Sequence, residues 1–388
     1  MMGLRIRGYF KDRFVEGILD DLEVNAGALA CGDNKALLIT IDCCSIDTVD
    51  VNAFIANASK VTGVPEEAIF VHATHTHTAS YYGLNSKDEL IREYSEFVKK
   101  RIADAACYAL ADLKPAKMGW AVGHAPNIAF VRRFRMKDGK VRTNPGVGNP
   151  DILHPIGDVD ERVNVLRFDR EGADTIVLAN MGCHPDTIGG CRVSADWPGW
   201  VRRLTEKALE AEGVHCILIN GCQGDVNHWN MQLDFPTSEL MFDAGETQRG
   251  HRFAQSVARA ISGTILQQFD RARYTPVDSI RIKQALIRMP SNRPNPEDMP
   301  EAHRINDLYV AGRSDELPYI GMMKTTMIAD AAREQLTAKL LHLHPAVLYI
   351  PLHILSQDPV YFRELAKQQN IQTCQKAGLH SLIQVQQT

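Results

Sequence analysis

Short apolar runs alternate with longer amphipathic stretches along most of the chain. Residues 36–42 have the pattern of a buried strand, 49–61 that of a helix, and 68–71 that of the next strand. The break at Gly63-Val64-Pro65 separates the helix from this second strand. The order predicts a βαβ unit, in which ligand sites form at the carboxyl ends of the strands.

The same alternation continues downstream and predicts an α/β fold, a mixed β-sheet core flanked by helices. Expected helices cover 86–113, 197–212, 250–269 and 319–341. Expected strands cover 118–122, 163–168, 175–180, 215–220 and 279–289, with a hairpin about Asp138-Gly139 within 130–146.

The second strand runs directly into Ala73-Thr74-His75-Thr76-His77-Thr78. Side chains alternate in a strand, so His75 and His77 should share one face and His72 the other. Two imidazoles at a strand end supply two corners of a tetrahedral zinc site. The alternative is that they are polar residues where a strand leaves its sheet.

Two further strands end in polar segments. The first carries His184, with Asp186 and Asp196 behind it as carboxylates that could orient a ligand or act as a base. His184 could equally be a turn residue, and Asp196 a helix N-cap. The second is Gly221-Cys222-Gln223-Gly224-Asp225-Val226-Asn227-His228, which is either a substrate loop or a polar connection. Together the three strand ends predict a metal site at the strand carboxyl ends.

Composition limits the classes of binding partner and indicates the cellular compartment of the protein. Of 388 residues 23% are charged, the net charge is −4, and no basic stripe favours nucleic acid. Nine cysteines without CxxC spacing indicate free thiols in a reducing compartment. The start Met-Met-Gly-Leu-Arg-Ile-Arg lacks a secretory apolar segment, and no apolar run is long enough to span a bilayer. We therefore expect a cytoplasmic protein without a membrane span, and leave its oligomeric state open.

On these segments the chain resembles the neutral/alkaline ceramidase-like hydrolases. The matching pieces, in the family's order within 8–332, are the 73–78 segment, the pair Arg132-Arg133, His184-Pro185 followed by Ser194-Ala195-Asp196, and Gly224-Asp225-Val226. The resemblance is to the shorter bacterial members. It implies a zinc-dependent amide hydrolase in which His75 and His184 ligate Zn²⁺, and in which His77 and Arg132 lie near an N-acylated small molecule, lipids included.

The chain departs from the family where ceramidases carry a catalytic serine, because Asn227 stands after Gly-Asp-Val here. We therefore expect a metal-activated water to attack the carbonyl. The catalytic candidates are His77 and Asp196 as bases and Arg132 and Asn227 as oxyanion stabilisers. His77 and His228 are also the candidates for a further zinc ligand beside His75 and His184. The predicted substrate-binding residues are Arg133, Gly224, Asp225 and His228.

The family's Pro-Gly-Glu segment and a later tyrosine, both zinc ligands, are missing from the sequence. We therefore predict a ceramidase-like catalytic domain at 1–334 and an atypical, less well ordered segment at 335–388. His342 and His344 form a second His-X-His there, with no partner motif. The alternative to an enzyme is a degenerate, catalytically impaired homologue acting as a binding protein. Metallo-β-lactamase-like and amidohydrolase sites fit the spacing less well.

Overall fold

The structure is a computed structural model. It describes residues 1–9, 12–232, 248–288, 335–344, 348–352 and 385–387, and the single positions 300, 304, 307, 308 and 313.

Four α-helices and nineteen strands are assigned in this part of the chain. The helices are α1 (Thr48–Thr62), α2 (Glu89–Ala111), α3 (Asp196–Ala208) and α4 (His251–Phe269). The strands are β1 (Gly17–Ile18), β2 (Val24–Cys31), β3 (Asn34–Ile41), β4 (Ile69–Ala73), β5 (Ala116–His124), β6 (Phe130–Val131), β7 (Arg133–Met136), β8 (Val141–Thr143), β9 (Ile152–Pro155), β10 (Arg162–Arg170), β11 (Thr175–Met181), β12 (Arg192–Val193), β13 (Val214–Asn220), β14 (Val226–Asn227), β15 (Arg273–Thr275), β16 (Ser279–Arg288), β17 (Gln335–His344), β18 (Leu348–Leu352) and β19 (Val385–Gln387).

One sheet has the order β2-β3-β4. Strands β3 and β4 are parallel and joined through α1, with Leu37 opposite Ile69 and Ile41 opposite Ala73, which confirms the predicted βαβ unit. Helix α1 ends at Gly63, which takes a left-handed φ of 72° at the C-cap.

The second sheet has the order β13-β11-β10-β5-β15. Strands β11 and β13 are also parallel and are joined through α3, so the chain contains a second βαβ unit. The remaining neighbours in this sheet pair antiparallel, and the sheet is therefore mixed.

The two sheets pack face to face and each carries helices on its outer face. Along β3, Leu37 and Ile39 join the apolar cluster under α1 and α2, while Ala36 and Leu38 join a cluster with residues of the second sheet. The other face of the second sheet packs against Trp197 of α3 and Ile261 of α4. The result is four layers, helix–sheet–sheet–helix, which confirms the predicted mixed α/β class with sheets flanked by helices.

Strand β17 pairs antiparallel with β16 and with β18. The predicted helix 319–341 is therefore wrong over 335–341, and its first part, 319–334, lies outside the described residues. In a helix the backbone N–H and C=O groups bond to one another, whereas here β16 provides backbone hydrogen-bond partners for β17. The predicted division of the chain at 334/335 stays a prediction. None of the helices described has both the length and the apolar character needed to cross a bilayer.

Candidate metal centre

Three strand ends meet at one edge of the two packed sheets. Strand β4 ends at Ala73, β11 at Met181 and β13 at Asn220, and the polar segments of the sequence follow each of them. The Asn220 side chain ties these ends together, because its Nδ2 donates to the carbonyls of Thr74 and Cys183, each at 3.0 Å. The Cys183 amide donates back to its Oδ1 at 3.2 Å.

Three imidazoles converge at this edge. The Nε2 of His77 lies 3.4 Å from the Nε2 of His75 and 3.0 Å from the Nε2 of His184. Their ring centroids are 4.5–5.0 Å apart, and each residue is at least 93% buried. Strand alternation is not what brings His75 and His77 together, because β4 has already ended and His75 has a left-handed φ of 76°.

The second ring nitrogen of two of these histidines is held by the backbone. The Nδ1 of His75 lies 2.6 Å from the Cys44 carbonyl, and the Nδ1 of His184 lies 3.1 Å from the Gln223 carbonyl. A carbonyl only accepts, so both imidazoles must donate from Nδ1 and, when neutral, present a lone pair at Nε2. Both Nε2 atoms lie within 3.4 Å of the Nε2 of His77.

The surroundings favour the neutral forms of His77 and His184. Burial lowers the pKa of His77 well below its ordinary value, and the nearby His75, Arg13 and Arg132 lower it further. Burial together with His75 and His77 lowers the pKa of His184 in the same direction. Neutral imidazole is the form that binds metal ions.

The donor set fits a zinc ion. Two nitrogens bound to one tetrahedral zinc lie about 3.3 Å apart, given Zn–N bonds near 2.0–2.1 Å, and the His77 separations are 3.0 and 3.4 Å. A thiol adds to the set, because the Sγ of Cys44 and one nitrogen each of His75 and His77 all lie within 4.8 Å of one another. Imidazole and thiolate are ligands that zinc accepts readily.

The predicted arginines lie beside this cluster. Arg132 is near enough to act on the pKa of both His77 and His184, and its backbone N–H donates to the Asp225 carbonyl at 2.9 Å. Arg133 begins β7 and is half-buried, with its backbone paired to Thr143. Their predicted roles stay predictions, but the structure places Arg132 where it can reach the centre electrostatically.

Asp196 is fully buried at the start of α3, with a left-handed φ of 56°. Its carboxylate accepts bonds from the Thr187 hydroxyl, from the Ile188 N–H at 2.9 Å and from the Trp197 N–H at 2.6 Å. Burial raises its pKa to about 6. These contacts fasten the segment that follows His184. Its predicted role as a base stays untested.

The loop around Gly224-Asp225 contacts the histidine cluster mainly through its backbone carbonyls. The Val226 carbonyl accepts from the His184 N–H at 3.3 Å, and the Asp225 side chain lines a separate cavity of about 40 Å³. Asn227 is buried and is bonded through Nδ2 to Asn144 at 3.0 Å. His228 packs against the rings of Trp229 and Phe253, and burial lowers its pKa to about 3. Among the described contacts His228 does not touch the three histidines.

Sequence reasoning missed the side chains that cover His77. Tyr9 and Arg249 both bond to Asp186, Arg249 at 2.5 Å, and the Tyr9 ring lies edge-on to His77 at 5.3 Å. Arg13 donates to the His77 carbonyl at 2.7 Å. They come from positions far away in the chain, so no local motif marks them. The same side chains, together with Trp229, line a cleft of about 800 Å³, and the three histidines are not among its lining residues.

Comparison with known proteins was made for sequence and for structure. No protein-family model and no curated protein sequence matches the chain significantly. Among solved structures, neutral ceramidase from Pseudomonas aeruginosa superposes with a TM-score of 0.61 at 12% identity, over 88% of this chain and 58% of that one. A structure described as ceramidase complexed with C2 superposes with a TM-score of 0.57 at 15% identity, over 74% of this chain and 44% of that one. This chain thus spans about half the length of the proteins it matches. It has a ceramidase-like fold.

Proposed function

We propose that this chain is a zinc-dependent hydrolase of a non-peptide C–N bond, an amide in an N-acylated small molecule. His75 and His184 hold the metal in this proposal. The observation that carries it is the orientation of these two imidazoles: their Nδ1 atoms are bonded to carbonyls, and their Nε2 atoms lie 3.4 and 3.0 Å from the Nε2 of His77. A protein interior satisfies the lone pairs on two such Nε2 atoms best with a cation or a donor between them.

Zinc, when bound, supplies a Lewis acid for the amide carbonyl and lowers the pKa of a water molecule. The chain's own part in the reaction is to bind and orient the amide and to stabilise the charge that develops on its oxygen. We assign the last task to Arg132, whose positive charge already acts on His77 and His184. Asn227 is the second candidate, because one hydrogen of its Nδ2 is left beyond the bond to Asn144.

The cleft lined by Tyr9, Asp186 and Arg249, the side chains that contact or cover His77, supports an acyl amide as substrate. Its volume of about 800 Å³ is within the usual range for small-molecule sites, and it has apolar walls at Val147, Trp229 and Met231. The solved structures with this fold are ceramidases by description, which makes a lipid amide the first substrate class to test. Arg133, Gly224, Asp225 and His228, the substrate-binding residues proposed from the sequence, do not line this cleft, and their role stays a proposal.

The test is a hydrolysis screen with N-acylated sphingoid bases, sugars and amino acids. We expect turnover of at least one class, loss of turnover with a chelator, and recovery when zinc is added back. His75→Ala and His184→Ala should lose activity at least 100-fold, as removal of a metal ligand does. His215→Ala is the matched control, since His215 is a surface histidine paired with Asp174 at 3.2 Å. Turnover that survives both ligand substitutions would overturn the proposal.

The alternative hypothesis, a catalytically impaired binding protein on the same scaffold, rests on the missing Pro-Gly-Glu and tyrosine of the sequence. It predicts tight binding of an N-acylated compound without turnover at any zinc concentration. Calorimetric titration of the same compounds separates the two, because the enzyme hypothesis requires product.

We further propose a cytoplasmic location. Each cysteine in the described part of the chain is a free thiol, eight in number, and Cys43, Cys44, Cys183 and Cys216 are buried. Free thiols persist in reducing compartments.

A further inference from the structure

We propose that His77 is the third ligand of the metal, and that Asp186 holds it in that role. The inference rests on the proposed metal site at His75 and His184. It replaces the idea of His77 as a general base, and it supplies a third donor where the sequence lacks the glutamate of its relatives.

The position of the ring is the first support. The Nε2 of His77 lies between the Nε2 atoms of His184, at 3.0 Å, and His75, at 3.4 Å. These are the separations expected when two nitrogens share one tetrahedral zinc, about 3.3 Å. His77 therefore already has a nitrogen where a third ligand belongs, without a change of rotamer.

The proton on the ring is the second support. The Nδ1 of His77 is buried without a hydrogen-bond partner among the described residues, and Asp186 Oδ1 lies 3.8 Å from it, beyond a direct hydrogen bond. A neutral imidazole carries one N–H. A proton on Nδ1 points at the carboxylate and leaves a lone pair on Nε2. A proton on Nε2 could be donated to the Nε2 of His75 or of His184, but not to both. It would also leave a lone pair on Nδ1 close to the Asp186 carboxylate, which would repel it. The carboxylate therefore favours the tautomer that can bind metal.

Asp186 is itself fixed. Its Oδ1 accepts from Arg249 at 2.5 Å and from the Tyr9 hydroxyl, and Arg249 also donates to that hydroxyl. The ion pair with Arg249 favours the charged form of the Asp186 carboxylate next to His77, against the effect of burial. The three side chains form a closed triangle across one wall of the cleft.

The backbone around His77 is fixed as well. Gly8 has a φ of 124°, and a Cβ added there would lie 2.9 Å from the His77 Cα. Arg13 Nη2 donates to the His77 carbonyl at 2.7 Å. Residues of the N-terminal segment thus hold His77 against the other two histidines, as a preformed ligand site requires.

Cys44 is the competing donor, since its Sγ is also close to His75 and His77. The Cys44 carbonyl is committed to His75 Nδ1 at 2.6 Å. The Nε2 of His77 contacts the Nε2 atoms of both proposed ligands, His184 at 3.0 Å and His75 at 3.4 Å. The two candidates differ in spectroscopic signature, because a thiolate bound to cobalt gives a ligand-to-metal charge-transfer band in the near ultraviolet and an imidazole does not.

The experiment is a titration of the metal-stripped full chain with Co²⁺ and Zn²⁺, followed by visible and near-ultraviolet absorption and by ¹⁵N NMR of the histidine rings. We expect a tetrahedral cobalt spectrum without a thiolate band, unchanged in Cys44→Ser. The His77 ring should be protonated at Nδ1 in the metal-free chain, and its Nε2 resonance should move on metal binding. Asp186→Asn should weaken metal binding about 10- to 100-fold, and His77→Gln should weaken it further and alter the cobalt spectrum.

The controls use a surface His–Asp pair, His215 with Asp174. His215→Gln and Asp174→Asn should leave metal affinity unchanged. Should His77→Gln fail to fold, Asp186→Asn and the NMR tautomer of the wild type carry the test. A wild-type cobalt spectrum and affinity in both His77→Gln and Asp186→Asn, with binding lost in His75→Gln, would overturn the role of His77. A thiolate band lost in Cys44→Ser would overturn it also. If His75→Gln binds metal as tightly as the wild type, the proposed metal site itself fails.

Discussion

Asp196 is a buried acid whose ionisation should be visible in the stability of the protein. Burial raises its pKa to about 6, although the Thr187 hydroxyl and two backbone amides stabilise the charged form. In an unfolded chain the same carboxyl has a pKa near 3.9. Between about pH 4 and pH 6, Asp196 is therefore protonated in the folded state and ionised in the unfolded state.

This difference in proton binding determines whether the stability rises or falls with pH. Because the folded state binds more protons in that window, the contribution of Asp196 to the free energy of unfolding is largest below pH 4 and decreases as pH rises through 6. Over the window the wild type should lose about 3 kcal/mol relative to Asp196→Asn, which has no group to titrate. Chemical denaturation of both proteins at several pH values measures it. A wild-type-minus-variant difference that is flat or rises with pH would contradict the assignment.

The helices and strands contribute to the site through their ends. Two parallel βαβ units, β3–α1–β4 and β11–α3–β13, bring their second strands to one edge, and Asn220 joins those ends to the loop after β11. Asn220 is fully buried. If its side chain were removed, water could not reach its three backbone partners to replace the lost hydrogen bonds. The side chain of Asn220 thus links the segment that carries His75 to the segment that carries His184.

Asn220→Ala should therefore cost stability and metal affinity together. Buried carbonyl and amide groups left without partners cost about 1–3 kcal/mol each, so we expect a loss of about 3 kcal/mol in the free energy of unfolding. Asn52→Ala, an exposed position on α1, is the control and should change stability by no more than about 0.5 kcal/mol. Urea denaturation with and without zinc reports both effects. A loss of stability with unchanged metal affinity would show that Asn220 does not set the histidine geometry.

At the scale of the whole molecule, the local pattern of apolar and polar residues was enough to predict the sheets and their flanking helices. It did not predict the side chains that cover His77. The runs before His75, His184 and Gly221 predicted three strand ends, and the structure brings the first two segments into contact through His77. The predicted helix over 319–341 failed at Gln335–His344, because an apolar run of this kind fits helix and strand alike until a partner strand is known.

The surroundings of His77 could not be predicted because they are long-range. Tyr9 reaches Asp186 across 177 positions and Arg249 reaches Tyr9 across 240. Nothing in the local sequence of Tyr9 or Arg249 distinguishes them from other surface residues. Sequence patterns specified the ligand-bearing strands, whereas the tautomer of a ligand depends on contacts that only the folded chain creates.

The central claim is that this edge of the two sheets binds one metal ion through its histidines. The most direct measurement is the zinc-to-protein ratio of the purified full chain after chelation, reconstitution and removal of free metal. We expect about one zinc per chain in the wild type and in His215→Ala, and far less in His75→Ala and His184→Ala. A wild-type ratio well below one, or the same ratio in the two ligand variants, would contradict it.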